Sequence, residues 1–257
     1  MSLDNNYNVL ILGDPADPMV LQWRDYCESA EMPVDLFVDP DDAPNPGDQP
    51  YTVVLNTHVD LPFFHLHHLP DSIVEALDES CLILSNCIAE TATSSAADLE
   101  DDYCLVGFSA IGLYTGNPVI EITRAVQTKP EYVQKAHHFL GLMGLRAIEV
   151  PENPGLVLAR ILAMLVNEAA SALMEGVASP QDIDTAMQLG TNYPRGPLVW
   201  ADFVGLDVIL SILNHLEDEY GDERYCAMTL LRQKVDAGKL GRKAGEGFYS
   251  YHPEHAR

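Results

Sequence analysis

The segment GVASPQDIDTAMQLGTNYPRGPLVWADFVGLD, residues 176–207, has a pattern that predicts a series of short helices separated by prolines and glycines. Ser179 followed by Pro180 and Asp182 is typical of a helix start. Serine caps free backbone amides, proline has a helical φ, and aspartate suits the positive end of a helix. Gly190 is expected to close this helix. The segment therefore predicts an all-helical part of the chain.

The flanking sequence extends this pattern. Apolar residues recur at helical spacing between residues 156 and 175, further helices are predicted near 206–220 and 229–237, and Pro197 is expected to start a short helix in between. Five helices in so small a domain are expected to leave apolar surface uncovered. We therefore expect this part of the chain to contact a second subunit.

Together with the closing stretch GKLGRKAGEGFYSY at residues 238–251, the segment resembles the C-terminal helical domain of the 3-hydroxyacyl-CoA dehydrogenase family. The resemblance runs from about Pro154 to Tyr251. It implies a homodimer formed through this domain, a domain that roofs the active site, an acyl-CoA or small acyl ligand, and NAD as the cofactor.

The N-terminal part of the chain alternates strands and helices. The runs NVLILG at residues 8–13 and VDLFVD at residues 34–39 predict parallel strands joined by a helix near 19–30. We therefore expect a fold of class α/β plus all-α, with a truncated Rossmann-like, doubly wound sheet in residues 1–153 and the helical domain in residues 154–257. Further strands are predicted at 52–56, 81–84, 104–108 and 119–123, and further helices at 72–77 and 131–142.

The turn after the first strand is where such a sheet binds a dinucleotide, usually through the pattern G-x-G-x-x-G. Here residues 13–18 read GDPADP, so that only Gly13 is kept and both later glycine positions are proline. Each proline removes an amide donor, and two carboxylates stand where phosphate oxygens would lie. We expect the dinucleotide site to be lost and no cofactor to bind tightly. Asp39 matches the family's ribose-binding position, although an aspartate after a strand also suits a turn.

The resemblance also implies a catalytic His–Glu pair, with a serine and an asparagine that bind the reacting oxygen. In SAIGLYTGNPVIEIT, residues 109–123, the glutamate is retained as Glu121. Ungapped alignment puts Ser109 in the histidine position, and the alternative register puts Tyr114 there. Neither register offers an imidazole, and Tyr114 would need a strongly lowered pKa to serve as a base.

The two oxygen-binding positions have also changed. In SNCIA, residues 85–89, the serine position holds Ile88, unless a gap brings Ser94 and Ser95 into place. In PGLVLAR, residues 154–160, the asparagine position holds Ala159. We therefore expect dehydrogenase activity to be much reduced.

Charge and composition limit the other functions. Residues 1–120 contain 21 acidic residues and one basic residue, Arg24, and the whole chain has a net charge of −25. This charge disfavours nucleic acid, anionic membranes, pyrophosphate cofactors and CoA, although a salt-adapted host would also explain it. With no long apolar run and no signal peptide, we expect a cytoplasmic protein with no membrane partner.

The side chains that commonly bind metals give no such site. The five cysteines form no close pair, so we expect buried, reduced thiols. His65, His67 and His68 lack further ligands at zinc spacing and are interpreted as part of a loop or a helix start, so no metal is expected.

Three functions follow from these observations. The leading hypothesis is a divergent family member linked to acyl-CoA metabolism, with lost or much reduced NAD-dependent activity and a binding or assembly role. The alternative is an active dehydrogenase that uses Glu121 with Ser94 or Ser95 and an unusual cofactor loop. The third is a small-ligand binding module that uses the interdomain cleft without redox chemistry.

Overall fold

A computed structural model describes residues 7–15, 17–37, 49–58, 71–97, 99, 104–115 and 118–251. The chain divides into two compact units, Met1–Leu156 and Val157–Arg257. The two units combine a Rossmann-like sheet with an all-helical part, which confirms the fold class expected from the sequence.

The first unit is an α/β unit. Its strands are β1 (Val9–Leu12), β2 (Val34–Phe37), β3 (Tyr51–Asn56), β4 (Leu77–Asn86), β5 (Cys104–Ser109), β6 (Val119–Arg124) and β7 (Arg146–Glu149). Its helices are α1 (Pro18–Ser29), α2 (Asp71–Val74), α3 (Ala92–Ala96) and α4 (Pro130–Leu142), with a 3₁₀ helix at Ile111–Thr115.

The strands form one sheet in the order β2-β1-β3-β4-β5-β6-β7. Neighbouring strands are parallel, except that β5 and β6 are antiparallel. The chain moves to one side of β1 to form β2 and to the other side to form β3. The carboxyl ends of β1 and β3 therefore meet at a topological switch point, which is the usual place for a ligand in such sheets.

Apolar side chains cover both faces of the sheet. On one face, the buried Trp23 of α1 packs edge-on against Phe108 of β5, with ring centroids 5.5 Å apart. On the other face, Leu10, Ile83 and Leu105 belong to a second buried cluster. Burial on both faces explains why β1 is entirely apolar in sequence.

The thiols of this unit support the expectation of buried, reduced cysteines. Cys27, Cys81 and Cys87 are free and buried. Burial raises the pKa of Cys27 and of Cys81 to about 12, so these thiols stay protonated near neutral pH.

Several predicted elements of the first unit differ from the structure. Helix α2 ends at Val74, and Leu77, which was expected in that helix, begins the longer strand β4. Neither α3 nor β7 was predicted. Helix α3 has five residues, too few for a helical repeat, and three of the four residues of β7 are exposed or nearly so, which weakens the apolar signal of a strand.

The second unit is helical and follows its prediction closely. Its helices are α5 (Leu158–Met174), α6 (Pro180–Thr191), α7 (Pro197–Val204), α8 (Leu206–Tyr220) and α9 (Thr229–Asp236). The hydroxyl of Ser179 accepts from the amide of Asp182 at 3.2 Å, which confirms the predicted helix start. Gly190 does not end α6, because Asn192, at a φ of 57°, takes the left-handed conformation that closes the helix.

Two buried carboxylates tie the closing stretch to this unit. Asp184 of α6 accepts from the amide of Leu198 at 2.8 Å, at the start of α7. Asp202 of α7 accepts from the amides of Phe248 at 2.7 Å and Tyr249 at 2.8 Å. The Tyr249 hydroxyl donates to Asp184 at 2.6 Å, so a single tyrosine contacts both carboxylates.

No individual helix in the described ranges has the length and apolarity to cross a membrane. Helices α7 and α8 taken together, with a bend of 98° at Gly205, have the length and composition of a membrane span, and nothing beyond length and composition supports one. Many of its apolar side chains are buried within the unit.

Candidate functional site

Gly13, directly after β1, lies at the switch point. A Cβ atom built on Gly13 would lie 2.3 Å from the Thr57 hydroxyl and 2.5 Å from a methyl group of Val20. Thr57 in turn donates to the carbonyl of Leu12 at 2.8 Å. A glycine is therefore needed here for the close packing of β1, β3 and α1, whether or not a ligand binds.

The N-terminus of α1 carries its own anion. The carboxylate of Asp17 accepts from the amide of Met19 at 2.8 Å, and the amide of Asp17 donates to the carbonyl of Asp14 at 2.8 Å. Pro18 has no amide hydrogen to offer. A diphosphate would meet a carboxylate and find these amide donors already used, so the described residues of this turn fit it poorly.

An imidazole that the sequence did not single out lies beside this turn. His58 follows β3, and its amide donates to the side-chain oxygen of Asn56 at 3.3 Å. Burial lowers the pKa of His58, and the carboxylates of Asp17 and Asp14 act in the opposite direction. A single histidine after a strand has no spacing or motif, so no sequence signal marked it. Among the described residues, no group of His, Cys, Asp and Glu has the arrangement of a metal site.

Ser109 and Glu121 face each other across the antiparallel pair β5 and β6. Residues paired in this way project to the same face of the sheet, with Cβ atoms about 4.5–5.5 Å apart. Ser109 is 1% exposed, and its hydroxyl has no hydrogen-bond partner among the described residues. The structure thus places side by side the two residues that ungapped alignment assigns to the family's His–Glu pair.

A second buried hydroxyl lies on the same face. Thr123, two residues after Glu121 and opposite Gly107, is 1% exposed and has no hydrogen-bond partner within the described ranges. A Cβ atom on Gly107 would lie 2.8 Å from both the Ala92 side chain and a Thr123 methyl group. Helix α3 therefore packs tightly over Gly107 on this part of the face.

Tyr114, the other candidate for the histidine position, lies in the 3₁₀ helix after β5. Its phenol is largely buried. Burial, with a smaller contribution from Asp17, raises the pKa of Tyr114, which is opposite to the shift that a phenolate base would need.

The serines of α3 have local roles. The Ser95 hydroxyl donates to Glu90 at 2.6 Å, and the Ser94 amide donates to the Thr91 hydroxyl at 3.1 Å as part of the helix cap. These contacts stabilise α3, and nothing in the described contacts joins either serine to Glu121.

The remaining predicted site residues are placed differently. Ala159 lies in α5 of the second unit and is fully buried. Asp39 lies outside the described residues, as do the three histidines at positions 65, 67 and 68.

A switch-point sheet followed by a five-helix unit defines a Rossmann-type protein with a C-terminal helical domain. A family model described as 3-hydroxyacyl-CoA dehydrogenase, C-terminal domain, matches residues 155–251. A 3-hydroxybutyryl-CoA dehydrogenase from Clostridioides difficile is 36% identical over 190 residues, covering 72% of this chain and 67% of that protein. The chain belongs to the 3-hydroxyacyl-CoA dehydrogenase family.

Other relatives agree with this assignment. A probable 3-hydroxybutyryl-CoA dehydrogenase from Bacillus subtilis is 44% identical over 146 residues, covering 55% of this chain and 51% of that protein. The match thus spans about half the length of this relative. The crystal structure of (S)-3-hydroxybutyryl-CoA dehydrogenase PaaH1 from Ralstonia eutropha aligns with a TM-score of 0.72 and 26% identity, covering 96% of this chain and 99% of that one.

Proposed function

We propose that the protein binds 3-hydroxyacyl-CoA thioesters in acyl-CoA metabolism and that its NAD-dependent hydride transfer is much reduced. The observation that carries the proposal is that Ser109 lies opposite Glu121, where the family has an imidazole. A serine hydroxyl does not titrate near neutral pH, and the loss of a positioned general base costs about 10²- to 10⁴-fold in rate.

The turn after β1 supports the same proposal. Asp17 caps α1 with a carboxylate, and Pro18 offers no amide at the position where the family binds a diphosphate. The charge of residues 1–120, with 21 acidic residues against one basic residue, repels NAD and CoA alike and does not favour one of these ligands over the other. Thioester binding is therefore proposed as the role that does not require the cofactor.

The names of the relatives favour a second candidate, an active 3-hydroxyacyl-CoA dehydrogenase, over reduced activity. Three relatives at 36–44% identity are named 3-hydroxybutyryl-CoA dehydrogenase or a probable form of it. In this case Glu121 remains as the carboxylate of the site, and another group must accept the proton from the 3-hydroxyl. Reduced activity rests on the site geometry alone.

One pair of measurements separates the two candidates. Thermal shift with NADH and with acetoacetyl-CoA tests each ligand on the whole chain, and NADH formation from 3-hydroxybutyryl-CoA tests turnover. The proposal expects stabilisation by the thioester, none by NADH, and turnover at least about 100-fold below an active family member assayed in parallel. Stabilisation by NADH together with comparable turnover would establish the second candidate instead.

We also propose that the protein forms a homodimer through its helical unit. Helix α5 presents apolar side chains to solvent: Ile161 is 51% exposed, and Met164 and Leu165 are partly exposed. These three residues line a groove of about 320 Å³ with Arg160 and Tyr225. Covering such a surface with a second copy removes apolar area from water.

Light scattering after size exclusion tests the dimer. Ile161→Glu is expected to dissociate it, since the variant buries a charge in the interface. Leu189→Glu is the matched control, because Leu189 on α6 is 83% exposed without lining the groove. A wild-type chain that elutes as a monomer at micromolar concentration would refute this proposal.

A further inference from the structure

The five lysines of the chain differ in the contacts that govern the reactivity of an amine. A lysine attacks as a nucleophile only in its neutral form, which an ion pair disfavours and partial burial favours. Lys239 is ion-paired with Glu246, and Lys243 is ion-paired with Asp207 at 2.6 Å. These two contacts stabilise the charged, unreactive form of each amine.

Lys234, in helix α9, has contacts of another kind. Its side-chain nitrogen, Nζ, donates to the carbonyl of Gly247 at 2.8 Å and lies 5.0 Å from the centre of the Phe248 ring. Within the described ranges Lys234 has no ion pair, and it is partly exposed to solvent. This amine is therefore accessible without a carboxylate in direct contact.

The charged groups around Lys234 come from helix α7 and the closing stretch. Burial lowers the pKa of Lys234 and Lys239 acts in the same direction, while Asp202 and Glu246 act in the opposite direction. Near neutral pH, each unit by which a lysine pKa falls raises the fraction of neutral amine about tenfold. A neutral amine can keep its hydrogen bond to Gly247 and still present its lone pair to a reactant.

The other two lysines serve as comparisons. Burial also lowers the pKa of Lys135, but this residue is only 7% exposed and its Nζ donates to the carbonyl of Ser80 at 2.7 Å. A large reactant therefore does not reach it. Lys129 is exposed at the start of α4 and is a suitable reference for an accessible lysine.

The sequence around Lys234 attracts anions, in contrast to residues 1–120. Residues 232–245 contain five of the chain's 14 Lys and Arg residues and a single acidic residue, Asp236. Since a CoA thioester carries several phosphate charges, this cationic stretch raises its local concentration.

We propose that Lys234 is a site of direct acylation by acyl-CoA thioesters. The neutral amine attacks the thioester carbonyl, an amide bond forms, and the carbon–sulfur bond breaks. The CoA sulfur leaves with the proton that the amine loses, so that the products are N-acyl-Lys234 and free CoA, and no further reactant is required. The inference goes beyond the proposed function, because the reaction needs no thioester site in the α/β unit.

Incubation of the whole chain with acetyl-CoA tests the site. Hydroxylamine then removes acyl groups from cysteine, and peptide mass spectrometry compares the five lysines. We expect Lys234 to be acetylated at least about threefold faster than Lys129. Between about pH 7 and about pH 10, the rate at Lys234 should also level off at a lower pH than the rate at Lys129, which accessibility alone would not cause.

Two variants and a second acyl donor serve as controls. Lys234→Arg keeps the charge without the amine and should remove the fastest-labelled site, whereas Lys129→Arg should leave labelling at Lys234 unchanged. The acetyl thioester of N-acetylcysteamine has no phosphates and should give the same order of reactivity with a smaller preference for Lys234.

Equal or faster acetylation at Lys129 with either thioester overturns the proposal, as does a common pH profile for the two lysines. Either result leaves the proposed thioester binding intact, because thermal shift measures that binding without any acyl transfer.

Discussion

The carboxylate of Asp17 lies 2.8 Å from the amide nitrogen of Met19 and accepts its hydrogen bond. In a dinucleotide-binding sheet, the amides at this end of the first helix face a phosphate. Here the chain supplies the anion itself, one residue before a proline. The amide of Met19 therefore has its hydrogen-bond acceptor without a ligand.

Removal of this cap is expected to destabilise the first unit. Asp17→Ala leaves the Met19 amide without its acceptor, and such changes lower the free energy of unfolding by about 1 kcal/mol. Urea denaturation followed by circular dichroism measures the loss. Asp17→Ser keeps a side-chain oxygen at the cap and should retain most of the stability. If the two variants were equally stable, the cap would have no energetic role.

The packing at Gly13 gives a second expectation. Gly13→Ala would put a methyl group 2.3 Å from the Thr57 hydroxyl and 2.5 Å from Val20, so we expect a loss of about 1–3 kcal/mol from overpacking. Gly190→Ala is the control. Its Cβ atom meets nothing within 4 Å, and an alanine inside helix α6 should raise stability by about 0.5–1 kcal/mol. Thermal denaturation of both variants checks the opposite signs.

The pH dependence of stability is expected to report on His58. Burial lowers the pKa of folded His58 below its ordinary value of 6.5, so protons bind the unfolded chain more readily. The stability present above pH 6.5 is therefore lost as the pH falls from 6.5 towards the lower folded-state pKa.

Urea denaturation of wild type and His58→Gln between pH 7.5 and pH 5 isolates this contribution from that of the many carboxylates. The variant should gain stability relative to wild type as the pH falls. His137→Gln, at an exposed position of α4, is the control and should follow wild type. Parallel curves for wild type and His58→Gln would show that His58 titrates alike in both states.

Restoration of the imidazole tests whether the base alone limits turnover. Ser109→His supplies a ring opposite Glu121, but the turn at Asp17 stays as it is, so we expect no appreciable gain in NADH formation from 3-hydroxybutyryl-CoA. Ser109→Ala and a melting curve of each variant control for folding. A gain of about 100-fold would mean that the cofactor binds and that only the base was missing.

The helical unit was largely predictable because its signals are local. Ser179 with Pro180 starts α6, Pro197 starts α7, and the apolar repeat between 206 and 220 matches α8. The end of α6 was not predictable, because Asn192 and Gly190 both suit a helix end and the packing around them selects one of the two.

The sheet was predicted in outline, and its weak elements were missed. Strand β7 pairs with β6 at the edge of the sheet and is largely exposed, so its sequence RAIE lacks an apolar run. The length of β4 was also missed, because the charged residues Asp78 and Glu79 near its start are typical of a turn.

The site shows the same division between local and long-range signals. The absence of a histidine from residues 109–123 was readable, but two registers placed either Ser109 or Tyr114 in the position where the family has its histidine. The pairing of β5 with β6 sets Ser109 opposite Glu121, and that pairing depends on the whole sheet. The contact of Gly13 with Thr57 joins residues 44 positions apart and left no mark in the sequence.

The two carboxylates that Tyr249 joins also affect the order of events during synthesis. Asp184 and Asp202 leave the ribosome well before Tyr249, and both are buried in the finished unit. Until the closing stretch emerges, neither has its full set of donors, and burying a charge without them is unfavourable. We therefore expect the helical unit to complete its packing only after its closing stretch has been translated, rather than helix by helix as the chain is made.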